Sequence, residues 1–334
     1  MRNIGVIGAG SWGTALAIHL GRIGHDVRLW GREGDLMASM QAGRVNTVFL
    51  PGLALPASVR PTADLAEALH GASIVVVVVP SHGLRTTVRA ALPHVPREAV
   101  VVSAAKGLEE GTLLRMSEVL GQETAGAFPI VVLSGPSFAV EVARELPTAV
   151  LAASADARAA RLVQREFRGA AFRLYESEDV VGVEIGGALK NVIAIAAGVV
   201  ESLGLGHNAL AALITRGLAE ISRLAFALGG RRDTLAGLSG LGDLVLTCTG
   251  ALSRNRRVGL ELGQGRPLAD VLAGMTMVAE GVRTTHAALA LGERHGIELP
   301  ITQKMDDVMT GGTSARQATE ELMLRPQRAE AERG

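Results

Sequence analysis

Residues 3–20, NIGVIGAGSWGTALAIHL, decide the fold of the first part of the chain. A short run rich in β-branched residues leads into G-A-G-S-W-G, and a helical pattern follows at once. Gly8 permits a tight turn, Gly10 lets backbone amides approach a pyrophosphate, and Gly13 lets the helix pack closely on the strand. The N-terminus of the helix then faces the anion. This stretch therefore predicts a dinucleotide site on a Rossmann-type sheet.

The second predicted strand, residues 25–30, ends beside Arg32 and Glu33. An acidic residue at this place binds the ribose hydroxyls of NAD, whereas an arginine accommodates the 2′-phosphate of NADP. Arg32 favours NADP, and Glu33 leaves the use of both cofactors open. A polar and apolar loop follows at residues 46–52, NTVFLPG, which is either a wall of the cofactor site or a surface turn.

Strand and helix patterns alternate to about residue 180. The β-branched run at residues 73–79 predicts a strand covered on both faces, and further strands are expected at 99–105, 130–134, 149–153 and 171–174. A short helix is expected at 62–70. This alternation predicts a parallel, doubly wound sheet, in which ligands bind beyond the carboxyl ends of the strands. Lys106 and Ser137 each follow one of these strands and are candidate ligand residues, although Ser137 could equally be a helix N-cap.

From about residue 181 the pattern becomes helical throughout. A long apolar helix is predicted to begin near Ile185, in EIGGALKNVIAIAAGVVESLGLG, and further helices are expected at 208–228, 278–295, 301–309 and 314–324. The chain is therefore predicted to divide into a Rossmann domain (1–180), an all-α domain (181–324) and a mobile tail (325–334).

The long apolar helix carries a single cation, Lys190. The chain contains 33 lysines and arginines together, of which only Lys106, Lys190 and Lys304 are lysines. A buried lysine can lose its proton, which an arginine does not do, so Lys190 is a candidate for proton transfer. The alternative is that Lys190 reaches the surface or pairs with Glu184 or Glu201.

Two further polar groups lie in the helical half. Asp243 stands in the glycine-rich stretch 237–244, where it either caps a helix or reaches a polar site. Ser253, Arg254 and Asn255 form a serine N-cap followed by donors at a helix start, which is a good phosphate-binding arrangement. The alternative for this second group is a solvated basic cluster.

Composition limits the classes of function. The 334 residues are 48% hydrophobic and 20% charged, with a formal net charge of zero and 3% aromatic residues, so nucleic-acid binding is not expected. The single cysteine, Cys248, excludes an internal disulfide and suits a reducing cytoplasm. We expect no membrane insertion and no signal peptide, since the aliphatic runs in the strands are too short to span a bilayer. The histidines show no metal-ligand spacing, so no metal is expected.

Eight motifs, in register over nearly the whole chain, resemble the bacterial NAD(P)-dependent sn-glycerol-3-phosphate dehydrogenase family. They are GAGSWGTALA (8–17), NTVFLPG (46–52), AAKGLEEGT (104–112), LSGPSFAVEVA (133–143), EIGGALKNVIAIAAG (184–198), GLSGLGDLVLTCTG (237–250), LSRNRRVG (252–259) and VAEGVRTT (278–285). One departure is Leu189, where the family is expected to carry a small residue or cysteine.

The resemblance implies a cytoplasmic homodimer that reduces dihydroxyacetone phosphate reversibly to sn-glycerol 3-phosphate, with NADP(H) or NAD(H) and no metal, for phospholipid synthesis. It also implies an all-α domain like the C-terminal domain of 6-phosphogluconate dehydrogenase. Lys190 matches the family's proton acceptor, with Lys106 and Asp243 beside it. The positions that match substrate contacts are Lys106, Gly135, Ser137, Lys190, Asp243, Ser253, Arg254 and Asn255. The positions that match cofactor contacts, with the glycines Gly8, Gly10 and Gly13, are Ser11, Trp12, Arg32, Lys106, Ala139, Arg254, Val278 and Glu280.

Physical reasoning adds two expectations. Lys106, Lys190 and Asp243 should form one hydrogen-bonded group across the cleft between the domains, and Arg254 should bridge the phosphates of substrate and cofactor. Two alternatives compete with the dehydrogenase: a related enzyme acting on a 3-hydroxy acid, and a non-enzymatic NADP-sensing module. The phosphate-binding arrangement at 253–255 argues against the first, and a sensor has no use for the three converging charged groups.

Overall fold

The computed structural model describes residues 1–275, 277–327 and 329. Most of the tail predicted at 325–334 therefore lies outside the described residues, as does Thr276.

The first half is built on one eight-stranded sheet and a small hairpin. Its strands are β1 (Asn3–Ile7), β2 (Asp26–Trp30), β3 (Val45–Asn46), β4 (Leu50–Ala54), β5 (Val59–Thr62), β6 (Ile74–Val77), β7 (Val100–Ser103), β8 (Ile130–Ser134), β9 (Thr148–Ala153) and β10 (Phe172–Ser177). The order in the sheet is β10-β9-β8-β7-β6-β1-β2-β5, and β3 pairs with β4 apart from it. The predicted Rossmann-type fold of this half is confirmed.

One pair of strands runs against the prediction of a parallel sheet, because β8 and β9 are antiparallel. The segment between them contains only the five-residue helix Ala139–Ala143. Strand β9 therefore begins at the same end of the sheet at which β8 ends, and the connection does not have to cross to the opposite end. The connection carrying Gly135 and Ser137 therefore stays at the carboxyl end of β8.

Helices cover both faces of the sheet. They are α1 (Ser11–Arg22), α2 (Gly34–Gly43), α3 (Leu65–Leu69), α4 (Ser81–Ala91), α5 (Met116–Glu123), α6 (Ala139–Ala143) and α7 (Ala157–Phe167), and one 3₁₀ turn spans Leu92–His94. Alternate residues of β6 pack on opposite faces: Ile74 and Val76 join the core with α1, and Val75 and Val77 join the core with α4. The predicted helix at 62–70 is shorter than expected, because Thr62 ends β5 and Asp64 caps α3.

The second half is all helical, as predicted. Its helices are α8 (Val180–Ser202), α9 (Gly206–Ala227), α10 (Arg232–Leu235), α11 (Asp243–Thr249), α12 (Arg254–Gly263), α13 (Leu268–Ala273), α14 (Glu280–His295), α15 (Pro300–Met309) and α16 (Ala315–Met323), and one π-helical turn spans Leu238–Gly242. The sheet ends at Ser177 and α8 begins at Val180, and the division of the chain at residue 180 stays a proposal.

Helix α8 is the centre of the helical half. It begins five residues earlier than predicted, because the Asp179 side chain caps it by accepting a hydrogen bond of 2.8 Å from the amide of Gly182. Every residue from Gly182 to Val199 is buried. The helix is long and apolar enough to cross a membrane, but 89% of that stretch is buried inside the fold, as in the core helix of a large domain.

Two glycines bring α8 and α12 into backbone contact. A Cβ on Gly198 would overlap the carbonyl oxygen of Arg256, and a Cβ on Gly259 would overlap the carbonyl oxygen of Ile195. Because the backbones of the two helices touch at these glycines, the start of α12 is held against the middle of α8.

Candidate active site

Lys106, Lys190 and Asp243 come from three distant parts of the chain and meet in one hydrogen-bonded group. The Lys106 ammonium donates to Asp243 Oδ2 over 2.6 Å, and the Lys190 ammonium donates to Asp243 Oδ1 over 2.7 Å. The exposed fractions of the three side chains are 18%, 8% and 1%. The structure thus brings together the group expected from the sequence, while the catalytic roles of its members stay predictions.

The fold explains why these side chains meet. Lys106 follows β7 at the carboxyl edge of the sheet, and Lys190 lies in the middle of α8. Asp243 is the first residue of α11, whose N-cap is Gly242, and the described contacts of the Asp243 carboxylate are side-chain contacts within the site. Of the two interpretations of Asp243, the polar site is therefore correct and the helix cap is wrong.

The alternative partners of Lys190 are engaged elsewhere. The Glu184 carboxylate accepts hydrogen bonds from Arg115 and Ser117, and Glu201 pairs with Arg256. Lys190 also does not reach the surface, since its side chain is only 8% exposed. The alternative of a lysine at the surface or paired with Glu184 or Glu201 is therefore wrong, and the partner of Lys190 is Asp243.

The surroundings of Lys190 lower its pKa to about 8. Burial is the largest cause, because it disfavours the charged ammonium. The negative charge of Asp243 raises the pKa, and the positive charge of Lys106 lowers it again. A lysine with this pKa exchanges its proton near neutral pH, which a free lysine with a pKa of about 10.4 does poorly. Nearby Cys248 is no candidate nucleophile, because burial raises the pKa of its thiol to about 12.

The loop after β8 contributes a carbonyl oxygen to the group. Gly135 has φ +136°, and its oxygen accepts hydrogen bonds from the Lys106 ammonium at 3.0 Å and from the Ser137 hydroxyl at 2.9 Å. The N-cap of α6 is Phe138, so the interpretation of Ser137 as a helix cap is wrong. Ser137 remains half-buried at the edge of the cleft.

The predicted phosphate site divides into two kinds of residue. The Ser253 hydroxyl caps α12 by accepting a hydrogen bond from the amide of Arg256, and Arg254, the first residue of α12, is exposed. Within the described part of the chain the Arg254 guanidinium makes no hydrogen bond or ion pair, so it is available to bind an anion. Asn255 is buried instead, and its amide links Asn191 of α8 at 2.9 Å to the backbone of Gly281 at 3.0 Å. A substrate contact of Asn255 stays a prediction.

The glycine loop has the geometry of a pyrophosphate cradle. Gly8 has φ +119°, and a Cβ there would lie 2.6 Å from the carbonyl oxygen of Val78. A Cβ on Gly13 would overlap the carbonyl oxygen of Gly8, whereas no described atom lies within 4 Å of a Cβ placed on Gly10. The space above Gly10 is thus open at the N-terminus of α1, where an anion is favoured.

The β3–β4 hairpin closes one side of this loop. Buried Asn46 donates hydrogen bonds of 2.8 Å to the carbonyl oxygen of Ala9 and to the Thr14 hydroxyl. The Ser11 hydroxyl donates to the carbonyl oxygen of Phe49 at 2.6 Å. Residues 46–52 therefore form a wall against the glycine loop, as one of the two interpretations proposed.

Four predicted cofactor residues border the same loop or pack beneath it. The Ser11 hydroxyl also lies 3.0 Å from Met277 Sδ, in the segment that leads into α14. Val278, the next residue of that segment, is exposed. Trp12 and Ala139 are half-buried and pack against the sheet core.

Arg32 and Glu33 stand at the end of β2 as an exposed ion pair. The Arg32 guanidinium lies 3.1 Å from the Glu33 carboxylate, and their side chains are 85% and 51% exposed. Such a pair is worth little in free energy, about 0–1 kcal/mol. Each partner is therefore free to turn to a ligand, and both interpretations of cofactor choice stay open.

Glu280 has an internal role in the structure. Its carboxylate accepts hydrogen bonds from the amide (3.1 Å) and hydroxyl (2.6 Å) of Ser81, and so caps α4 from across the cleft. A contact between Glu280 and a cofactor stays a prediction.

Comparison with known proteins identifies the family. The N-terminal model of the NAD-dependent glycerol-3-phosphate dehydrogenases matches residues 3–160, and the C-terminal model of the same family matches residues 179–320. The chain belongs to the NAD-dependent glycerol-3-phosphate dehydrogenase family. The resemblance found in the sequence is thereby confirmed.

Individual members of the glycerol-3-phosphate dehydrogenase family are similar over most of their length. The protein named glycerol-3-phosphate dehydrogenase [NAD(P)+] from Koribacter versatilis is 58% identical over 81% of each chain. A protein of the same name from Geobacter metallireducens is 57% identical over 80% of each chain. The crystal structure of glycerol-3-phosphate dehydrogenase from Coxiella burnetii superposes with a TM-score of 0.93 at 42% identity, covering 97% of this chain and 99% of that one.

Sequence reasoning missed two polar residues of this dehydrogenase site. The Thr247 hydroxyl accepts a hydrogen bond of 2.7 Å from the Lys190 ammonium and donates one of 2.6 Å to the carbonyl oxygen of Asp243. Its position four residues after Asp243 places it on the same helix face, and that spacing could have found it. Asn191 follows Lys190 in the sequence, and only the fold reveals that it meets Asn255.

The arrangement suits the nicotinamide cofactor of a glycerol-3-phosphate dehydrogenase. An open glycine cradle at a helix N-terminus fits a pyrophosphate, and the buried Lys190 lies on α8 of the helical half. The described residues include no cluster of three or more histidine, cysteine, aspartate or glutamate side chains able to hold a metal ion.

Proposed function

We propose that the chain catalyses the reversible reduction of dihydroxyacetone phosphate to sn-glycerol 3-phosphate. The observation that carries the proposal is the buried Lys190 bound to Asp243, at a pKa of about 8, on a chain of the glycerol-3-phosphate dehydrogenase family. The nicotinamide cofactor supplies the hydride when it is bound, and the protein positions the substrate and moves a proton.

Lys190 is the proposed acid and base. During reduction its ammonium stabilises the developing negative charge on the carbonyl oxygen and then donates a proton to it. During oxidation the neutral amine accepts the hydroxyl proton. Asp243 and Thr247 orient the amine by two hydrogen bonds of 2.7 Å, and the charge of Lys106 keeps the pKa of Lys190 low.

Arg254 and the start of α12 are the proposed site of the substrate phosphate. The Arg254 guanidinium, which has no described hydrogen bond or ion pair, and the helix N-terminus both favour a dianion. Gly135, Ser137, Ser253 and Asn255 complete the proposed substrate contacts. Phosphate binding supplies free energy away from the reacting carbon, and this explains a preference for a phosphorylated triose over the free triol.

The cofactor contacts are proposed at the glycine loop and its borders. They are Gly8, Gly10, Ser11, Trp12, Gly13, Arg32, Lys106, Ala139, Arg254, Val278 and Glu280. Arg32 favours NADP, with Glu33 available to the ribose of NAD. A role in glycerophospholipid synthesis, a cytoplasmic location and a homodimer are proposed from the family resemblance.

The decisive experiment follows oxidation of NADPH by dihydroxyacetone phosphate in the wild type and in Lys190→Ala, and repeats both with NADH. Rapid oxidation by the wild type that is lost in the variant, with NADPH binding retained, is the expected result. Binding of NADPH without oxidation by the wild type would overturn the proposal. Activity on a 3-hydroxy acid would then support the related dehydrogenase, and no activity on either substrate would favour the NADP-sensing module. The ratio of rates with NADPH and NADH tests Arg32.

A further inference from the structure

Lys106 stands at the start of a short hairpin, residues 106–115, which we call the Lys106 hairpin. Leu108 and Arg115 form an antiparallel bridge, and the amide of Glu109 donates to the carbonyl oxygen of Leu114 over 2.9 Å. The turn uses positive φ angles at Gly111 (+81°) and Leu113 (+64°). Since this turn is internally bonded, the position of the Lys106 ammonium depends on how the hairpin is held.

The hairpin packs on both halves: Leu114 borders the sheet-half core that contains Val75 and Val77, and two other leucines face the helical half. Leu108 is 2% exposed and is part of the hydrophobic core formed around α8, and Leu113 packs against the same core. The placement of Lys106 is therefore coupled to α8, the helix that carries Lys190.

Glu184 is the polar anchor of the hairpin on α8. Its side chain is 5% exposed. Its carboxylate accepts hydrogen bonds from Arg115 Nη1 (2.7 Å), the Ser117 amide (2.8 Å) and the Ser117 hydroxyl (2.6 Å). These donors lie at the end of the hairpin and in the first turn of α5. Glu184 and Lys106 also line the same narrow crevice beside Gly187.

The other ties of the hairpin do not replace this anchor. Arg85 holds Glu109 by two hydrogen bonds of 2.8 and 2.7 Å, but Arg85 belongs to α4 of the sheet half. Glu110 pairs with Arg283 of α14 at the surface, with side chains 52% and 43% exposed, where an ion pair contributes little. Apart from the Lys106–Asp243 pair itself, the described ion pairs between the hairpin and the helical half are the buried Arg115–Glu184 pair and the exposed Glu110–Arg283 pair.

We infer that Glu184 is a positioning residue, which holds the Lys106 hairpin on α8 and thereby keeps the Lys106 ammonium against Asp243. The inference deepens the proposed function and rests on it for its kinetic consequence. Its structural consequence, the restraint of Lys106, is independent of any substrate.

The kinetic consequence has a definite sign. The charged groups that face the Lys190 amine are Asp243 on α11 and Lys106 on the hairpin; Thr247 and the thiol of Cys248, both on α11, face it as neutral groups. When Lys106 moves away, a positive charge is lost and Asp243 is left to Lys190 alone. Both changes favour the ammonium, so the pKa of Lys190 rises. Oxidation of glycerol 3-phosphate requires the neutral amine. The pH at which the oxidation rate increases therefore moves to a higher value.

The first test compares Glu184→Gln with Glu220→Gln. Glu220 is a matched control, because it is also a buried carboxylate with three hydrogen bonds, to the amides of Ile301 and Thr302 and to the Thr302 hydroxyl, at the start of α15. Both variants should lower the melting temperature. Only Glu184→Gln should lower kcat, by about tenfold (about 1.4 kcal/mol), and move the pH profile upward, with cofactor binding unchanged. Equal kcat and equal pH profiles in the two variants would overturn the inference.

The second test needs no catalytic activity. The chain has three lysines, so their rates of acetylation by acetic anhydride can be followed separately by mass spectrometry. Glu184→Gln should raise the rate at Lys106 several-fold relative to Lys304, and Glu220→Gln should leave the Lys106 rate unchanged. An unchanged Lys106 rate in Glu184→Gln would refute the positioning role even in a protein with no activity on dihydroxyacetone phosphate.

A milder variant guards against a failure to fold. Ser117→Ala removes one of the three hydrogen bonds to Glu184 and leaves the carboxylate and Arg115 in place. It should change the acetylation of Lys106 and the pH profile in the same direction as Glu184→Gln, by a smaller amount. A stable Ser117→Ala protein with wild-type behaviour in both measurements would also count against the inference.

Discussion

At the scale of single residues, the site depends on how one amine is surrounded. Lys190 is buried by α8 and its neighbours, yet it keeps three polar partners in reach: Asp243 and Thr247 by direct hydrogen bonds, and Lys106 through Asp243. Burial and Lys106 lower the pKa of the amine, and Asp243 limits the fall. The result is an amine that can be found in either protonation state near neutral pH.

This pKa predicts the pH dependence of oxidation. For glycerol 3-phosphate, kcat/KM should rise about tenfold per pH unit at low pH and level off above pH 8, since the neutral amine of Lys190 is the base and its pKa is about 8. The reverse reaction needs the ammonium, so it should weaken above the same pH. Initial rates over a pH series in both directions provide the measurement. A flat oxidation profile across this range would show that another group takes the proton.

Thr247 offers a second prediction at this scale. Thr247→Val keeps the shape of the side chain and removes an acceptor from the Lys190 ammonium, so the pKa of Lys190 should fall and the oxidation profile should move to lower pH. Loss of orientation should reduce kcat by about tenfold. Thr249→Val is the matched control, because Thr249 makes the same bond to the carbonyl oxygen four residues earlier (2.8 Å) but is exposed. Equal kinetics in the two variants would assign Thr247 a purely structural role.

At the scale of elements, the contact between α8 and α12 positions the proposed phosphate site. The two helices meet through Gly198 and Gly259, where a side chain would overlap a backbone carbonyl that cannot rotate away. The start of α12, with Arg254, is therefore fixed relative to Lys190 on α8.

Gly259→Ala should consequently force the helices apart. Overpacking of this kind costs about 1–3 kcal/mol or more of stability, and here it should also raise KM for dihydroxyacetone phosphate, because Arg254 moves with α12. Gly121→Ala in α5 is the control: apart from its chain neighbours and the backbone of its own helix, no described atom lies within 4 Å of the added methyl group, so this variant should gain up to about 1 kcal/mol from helix propensity. Urea unfolding and KM measured on both proteins would test the contact. An unchanged KM in Gly259→Ala would show that the α8–α12 contact does not position the proposed phosphate site.

The same scale shows what could be predicted from the sequence. Motif spacing and periodicity indicated the glycine loop, the long helix and the cap at Ser253, because these depend on local chemistry. The antiparallel pairing of β8 and β9 could not be predicted, since an apolar strand pattern carries no direction. The partner of Glu184 also escaped prediction, because Arg115 lies 69 positions away and only the fold brings it close. The buried position of Asn255 escaped for the same reason.

At the scale of the whole molecule, the proposed sites for the cofactor pyrophosphate and the substrate phosphate start from different halves. The glycine loop belongs to the sheet half, and Arg254 belongs to the helical half. Arg254→Gln should therefore raise KM for dihydroxyacetone phosphate strongly, by tenfold or more, since a charged hydrogen-bond partner is worth about 1.5–3 kcal/mol. Any activity on non-phosphorylated dihydroxyacetone, measured at saturating cofactor, should change little.

Arg257→Gln is the control for this prediction, because Arg257 is an exposed arginine on the same helix. It should leave KM for both substrates near the wild-type value. If Arg254→Gln raised KM for both substrates alike at saturating cofactor, Arg254 would not be the ligand of the substrate phosphate.

The Lys106 hairpin has a consequence for anyone who recombines relatives of this protein. A chimera joined at residue 180 takes Leu108 and Arg115 from one parent and their receiving core and Glu184 from the other. The boundary at residue 180 thus separates residues that pack together in the fold. In a hybrid of two parents, mismatched contacts are expected first at this hairpin. Exchanges that move residues 106–117 together with the helical half should give soluble hybrids more often than exchanges at residue 180 alone.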